Sequence, residues 1–255
     1  MDFNRTNAMS TAEGGGDIVR DGLVLLLDAA NTKSYVSGST IWNDLSRSGN
    51  NGTLTNGPTY NNTNNGIIVF DGTNDFMVTN NINLSTTNTV TLEFWCKLNT
   101  YPEVVSSAKV FTEFSTNYNS ITTGFIIAYA DDSSPSFGGT FPISLSLRGN
   151  AGFNISYWPK TLVNDLNWHH WCCIFDKSQS TAETFLYVDG VFRTGTNPTS
   201  SNSTNNFGNL PLYFGGRAAS FNSNVNLSNF KIYNRVLSAT EVLQNFNVTR
   251  SRFGI

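Results

Sequence analysis

Residues 168–176 read WHHWCCIFD and are followed at 184–195 by TFLYVDGVFRTG. The first stretch holds both histidines of the chain and two of its three cysteines, which raises the question of metal or thiol chemistry. As a β-strand it sends Trp168, His170, Cys172 and Ile174 to one face and His169, Trp171, Cys173 and Phe175 to the other. Only pairs such as His170 and Cys172 then converge, short of the three or four ligands that a tetrahedral zinc needs. A Cys–His nucleophile pair lacks the orienting third group. The stretch therefore predicts a half-buried strand rich in aromatic and β-favouring residues. In the second stretch Asp189-Gly190 separates two apolar runs, and that dipeptide favours the type I′ turn whose twist matches paired strands.

The same texture extends outward in both directions. GLVLLLDAA (22–30), GIIVFDG (66–72), NTVTLEFWCKL (88–98), TGFIIAYA (123–130), PISLSLRG (142–149), LPLYFGG (210–216) and NVNLSNFKIYNRVL (224–237) are short apolar runs separated by Asn, Ser, Thr and Gly clusters. Strands joined by turns produce this pattern. Only LSATEVLQNFN (237–247) is helical in period, with Ser238 and Glu241 at capping-box spacing and Val242, Leu243 and Phe246 along one face.

Composition limits the alternatives. The chain has 255 residues, of which 39% are hydrophobic and 13% charged, with a formal net charge of -3. That describes a globular chain with a substantial core, and all-β units of this length fold as one domain. No run of eighteen apolar residues occurs, and the opening MDFNRTNAMSTAEGGGDIVRDG lacks the basic and apolar regions of a secretory signal, so neither membrane insertion nor export is expected. Three cysteines, two of them adjacent, make a poor disulfide framework and point to free thiols in a reducing compartment. No Lys/Arg cluster exists to neutralise a row of phosphates, which argues against nucleic acid.

The segments GLVLLLDAANTKSY, WNDLSRSGNNGTLTNGPTY, IIVFDGTNDFMV, TLEFW, NWHHWCCIFD, FLYVDGVF, LYFGGR and FKIYNRVLSATEVLQNFN, in this order, resemble a laminin-G-like domain of the concanavalin A-like superfamily over about residues 22–250. The resemblance implies an all-β fold, a two-sheet antiparallel jelly-roll sandwich with one short C-terminal helix, spanning residues 22–255 behind an N-terminal arm of residues 1–21. The superfamily includes glycoside hydrolases, whose paired carboxylates lie on one strand face. Here TLEFWCKL carries Glu93 alone, flanked on its face by Thr91 and Trp95, so Glu93 is read as a solvated outer-face residue and no enzyme is expected. Many relatives hold calcium at the rim of the sandwich. Asp71 and Asp75, and Asp131-Asp132, have the composition of capped turns, and the acidic pair common before IYNR is replaced here by Ser228-Asn229; no cofactor is therefore assigned.

Glycan contact would fall to exposed aromatics in loops or at strand ends, which selects Tyr118, Tyr157 and Trp158, with alternation exposing only one of the last two. The likeness of the C-terminal segment to laminin-G-like proteins of tailed phages implies a virion structural or decoration protein. It would be made in the host cytoplasm within an oligomeric assembly, with other virion proteins and host-surface glycans as partners. A stand-alone lectin is the alternative. The arm is too polar to fold alone, and Phe3 and Met9 are its apolar anchors for docking onto a particle.

Overall fold

A computed structural model of the chain describes residues 17–100, 109–115, 124–129, 142–196, 200–217 and 220–255. Period-two apolar runs too short for helices pair into two antiparallel sheets, with eighteen strands among the described residues, numbered along the chain. The first sheet runs, edge to edge, β15 (Val191–Arg193), β14 (Thr184–Val188), β13 (Trp168–Asp176), β8 (Thr89–Leu98), β18 (Asn224–Tyr233), β5 (Ile67–Asp71) and β4 (Thr59–Asn61). The far edge of β18 is divided: Asn224–Leu227 pairs with β5, and Asn229–Tyr233 with β1 (Leu23–Asp28). The second sheet runs β12 (Gly152–Pro159), β11 (Pro142–Gly149), β10 (Phe125–Tyr129), β9 (Lys109–Phe114), β17 (Leu212–Phe214), β6 (Phe76–Thr79), β3 (Gly52–Thr55) and β2 (Ile41–Trp42). A small ribbon of β7 (Ile82–Asn83) and β16 (Asn209–Leu210) sits apart. The all-β sandwich expected from the sequence is the fold observed.

Aromatic rings fill the space between the sheets. Phe94 of β8 stacks on Trp171 of β13 at 5.8 Å and on Phe230 of β18 at 5.4 Å, and Phe214 of the facing sheet meets Phe94 edge-on at 5.9 Å. Such contacts add to the burial of large side chains, which dominates the stability of the sandwich. The predicted hairpin joins β14 to β15, with Asp189 at φ 55° and Gly190 at φ 74°, the two positive angles a type I′ turn requires. A Cβ on Gly190 would stand 3.0 Å from the Phe246 ring, so glycine serves both the turn and the packing.

Helix α1 (Ala239–Thr249) closes its N-terminus with the expected capping box: Glu241 N–H donates to Ser238 Oγ at 3.3 Å and Ser238 N–H to Glu241 Oε2 at 2.8 Å. Val242 and Phe246 are buried as predicted, whereas Leu243 is 46% exposed because the face laid on the sheet carries Asn245 instead. The helix covers the outer face of the first sheet, which corrects the half-buried reading of WHHWCCIFD. Trp171, Cys173 and Phe175 enter the core between the sheets, while Cys172 and Ile174 pack outward with Val19, Leu237 and Val242. Both faces are therefore dry. Residues 17–21, assigned to the arm from sequence, also lie on this face. Val19 N–H donates to Asn245 Oδ1 at 2.8 Å, and the Gln244 amide donates to the Asp17 carbonyl at 2.7 Å.

Candidate functional site

Under the helix lies a polar cluster in an otherwise apolar layer. Glu93 of β8, Lys231 and Tyr233 of β18 and His170 of β13 project outward from three adjacent strands, and Asn245 descends from α1 to meet them. The Asn245 amide donates to Glu93 Oε2 at 2.6 Å and to Tyr233 Oη at 3.0 Å, while its oxygen accepts from Val19. Lys231 Nζ and His170 Nε2 each stand 3.7 Å from a Glu93 oxygen, close enough for charge to matter and too far for a hydrogen bond. Burial pushes the Glu93 carboxyl up to about 7 despite the opposing pull of Lys231 and Asn245. Burial, reinforced by Lys231, lowers His170 well below its ordinary value, so the imidazole is neutral and its contact with Glu93 is not an ion pair. Glu93 has no exposed surface, so the solvated reading made from sequence is overturned: the residue faces outward, but a helix roofs it.

The cluster borders an open cleft of about 410 Å³ between residues 17–20, the outer face of β1 and β18, and the end of α1. Its walls carry amides and hydroxyls (Asn31, Thr32, Asn65, Thr249, Ser251), with Asp17, Arg20, Asp28 and Arg252 as charges. Arg252 is locked in place by Asp28 Oδ1 at 2.8 Å and by the carbonyls of Asn64 and Gly66. Lys231 and Asn229 are among the residues that line the cleft, and each buries a polar atom without a hydrogen-bond partner: Lys231 Nζ, which stands 3.7 Å from Glu93 Oε2, and Asn229 Oδ1. Buried polar atoms are ordinarily satisfied, and Glu93 Oε1, Ser228 Oγ and both His170 ring nitrogens nearby share this lack of a partner, so the polar layer under the helix as a whole is sparsely hydrogen-bonded.

The structure separates the residues selected from the sequence. Tyr157 is half-buried on the outward face of β12, its backbone bridged to Thr196. Trp158 is 2% exposed in the main core, and its indole N–H donates to the Arg193 carbonyl at 2.7 Å. That burial removes Trp158 as a stacking platform. Tyr118, Phe3, Met9 and Asp131-Asp132 lie outside the described residues. Asp71 and Asp75 spend their carboxylates on a turn, accepting from Thr73 N–H at 2.7 Å and Asp71 N–H at 3.1 Å. Among the described residues no group of three His, Cys, Asp or Glu side chains converges as a metal site. His169 sits at the end of its strand between Asp189 Oδ2 at 2.8 Å and Asp165 Oδ1 at 2.9 Å. Sequence reasoning missed the cleft, whose lining residues come from positions 17 to 252.

Comparison with known structures supports the architecture. The binding domain of botulinum neurotoxin serotype G superposes with a TM-score of 0.66 at 14% identity, over 90% of this chain and 51% of that one. The serotype D ligand-binding domain, solved in complex with N-acetylneuraminic acid, gives 0.66 at 12% identity over 90% and 51%. The binding domain of botulinum neurotoxin DC, solved in complex with rat synaptotagmin II, gives 0.65 at 12% identity over 90% and 52%. The chain thus spans about half the length of these structures, and at such identities the likeness is one of fold. A search among curated proteins found no match. Residues 71–243 match the laminin-G-like family described as the concanavalin A-like lectin/glucanases superfamily. That match takes in more than half of the sequence and agrees with the two-sheet architecture: the chain belongs to this family.

Proposed function

We propose that the protein is a non-catalytic recognition domain that binds saccharides at the cleft beside the C-terminal helix. The observation that carries this reading is the cleft itself. It is an open concavity of about 410 Å³ walled by amides, hydroxyls and locked charges, groups that suit a hydroxyl-rich ligand. Catalysis is disfavoured because Glu93, the carboxylate on the strand where a hydrolase would place its pair, is sealed from substrate. Structural likeness to domains solved with sialic acid or a protein receptor supports recognition as the role. The test is a glycan array with the purified protein, paired with a reducing-sugar assay. Binding to a defined glycan set without sugar release is expected. An empty array from folded protein, or release abolished by Glu93→Gln, overturns the reading.

A second reading places the domain on a viral particle. It is favoured by three buried, unpaired cysteines, which suit synthesis in a reducing cytoplasm. Residues 1–16, through Phe3 and Met9, would tether the sandwich to the particle. Deleting them should leave a folded domain that no longer co-sediments with particles, and normal incorporation of the truncated protein refutes the tether.

A further inference from the structure

Resting on the saccharide reading, we infer that the cleft selects acidic sugars, with Lys231 holding a carboxylate and Asn229 accepting a hydrogen bond from a neighbouring hydroxyl. The two side chains lie on the same strand two residues apart, so alternation puts them on one face. Lys231 presents an ammonium and Asn229 a carbonyl oxygen, both buried and both without a hydrogen-bond partner. A ligand that completes them must offer an acceptor, best a charged one, beside a donor. A hydroxy-carboxylate does so. Inorganic phosphate brings more negative charge and fewer donors, and it would face the Asn229 oxygen with another acceptor.

The wall carries charges of both signs, Asp17 and Asp28 against Arg20, Lys231 and Arg252. Asp28 is committed to Arg252 Nη1 at 2.8 Å and to Ala30 N–H at 3.0 Å, and Arg20 adds a cation to the wall. Beneath the floor Glu93 is the countercharge of Lys231, but its carboxyl, raised to about 7 by burial, is only partly ionised at neutral pH. The volume suits one or two sugar rings within the usual range of about 300–1,000 Å³ for small-ligand pockets.

Nuclear magnetic resonance titration of the full chain with sodium glucuronate, glucose and inorganic phosphate tests this. Glucuronate should bind at least about tenfold more tightly than glucose, the worth of one charge-assisted hydrogen bond, and shift the amides of Asn229, Lys231 and Thr32. Thr32 is exposed on the cleft wall, so Thr32→Trp should block the site and abolish the glucuronate shifts while the fold is retained. Lys231→Met should reduce glucuronate to the affinity of glucose, with urea unfolding as the check on folding. Equal affinity for glucuronate and glucose, phosphate binding as tight as glucuronate, or glucuronate shifts unaffected by Thr32→Trp each overturn the inference. An array positive for neutral glycans would then leave the saccharide reading standing, whereas an empty array removes both.

Discussion

Glu93→Gln replaces a buried carboxyl by a neutral group of the same shape, and its effect on stability should depend on pH. In the folded protein the carboxyl titrates at about 7 against 4.5 when free, because burial disfavours the anion. A folded value above the unfolded one means that the native state holds the proton more tightly. Stability from this group is complete below pH 4.5, falls as pH rises, and levels off above 7. Integrated over that shift, the wild type should lose about 2.5 kcal/mol between about pH 5 and pH 8 relative to the variant. His170 acts in the opposite sense: kept neutral in the fold, it costs stability as pH drops below 6.5. The wild-type profile alone would therefore blur the two effects, and the difference between wild type and Glu93→Gln is the informative quantity. Urea unfolding followed by tryptophan fluorescence at several pH values gives it. A difference that does not change between about pH 5 and pH 8 would refute the placement of an ionising carboxyl under the helix.

Three further outcomes are expected. Asn245→Ala strands the partners in Val19, Glu93 and Tyr233 and should cost about 3 kcal/mol or more in urea unfolding, with loss of protection at Val19 in amide exchange. Burial works to lower the His169 pKa, but the hydrogen bonds its ring N–H groups donate to Asp189 and Asp165 prevail and raise it. Its stabilising contribution is thus present below 6.5 and lost as pH rises through the higher folded value; a proton titration of the ring should show a midpoint above 6.5 that falls in Asp189→Asn. Cys96, Cys172 and Cys173 are buried with raised thiol pKa values, so Ellman's reagent should modify none of them in the native protein and all three in guanidinium.

The elements legible in the sequence were those set by local rules. Alternation in WHHWCCIFD gave the correct division of side chains, Asp189-Gly190 gave the hairpin, and Ser238 with Glu241 gave the helix start. What alternation cannot give is what covers a face. Glu93 and Asn245 are 152 positions apart, and nothing near either announces the other. A signal did exist in TLEFWCKL and WHHWCCIFD, which are nearly continuous in apolar residues; strands buried on both sides have that character. Trp158 was misjudged for a related reason, since a strand end beside a proline suggests exposure while the facing sheet decides it. The cleft had no local trace, because it is made where the two ends of the described chain meet.

That meeting has a mechanical consequence. The segment from Asp17 and the middle of α1 are lashed together through Gln244 and Asn245, and behind the lashing β1 pairs with β18 so that Leu23 lies opposite Tyr233. Load applied at the two ends therefore enters this antiparallel pair from the same side and peels its hydrogen bonds one at a time instead of shearing them together. Tension would lift the roof from Glu93 and open the cleft before it strained the aromatic layer between the sheets, making the site the weakest link under pull and leaving the sandwich behind it intact.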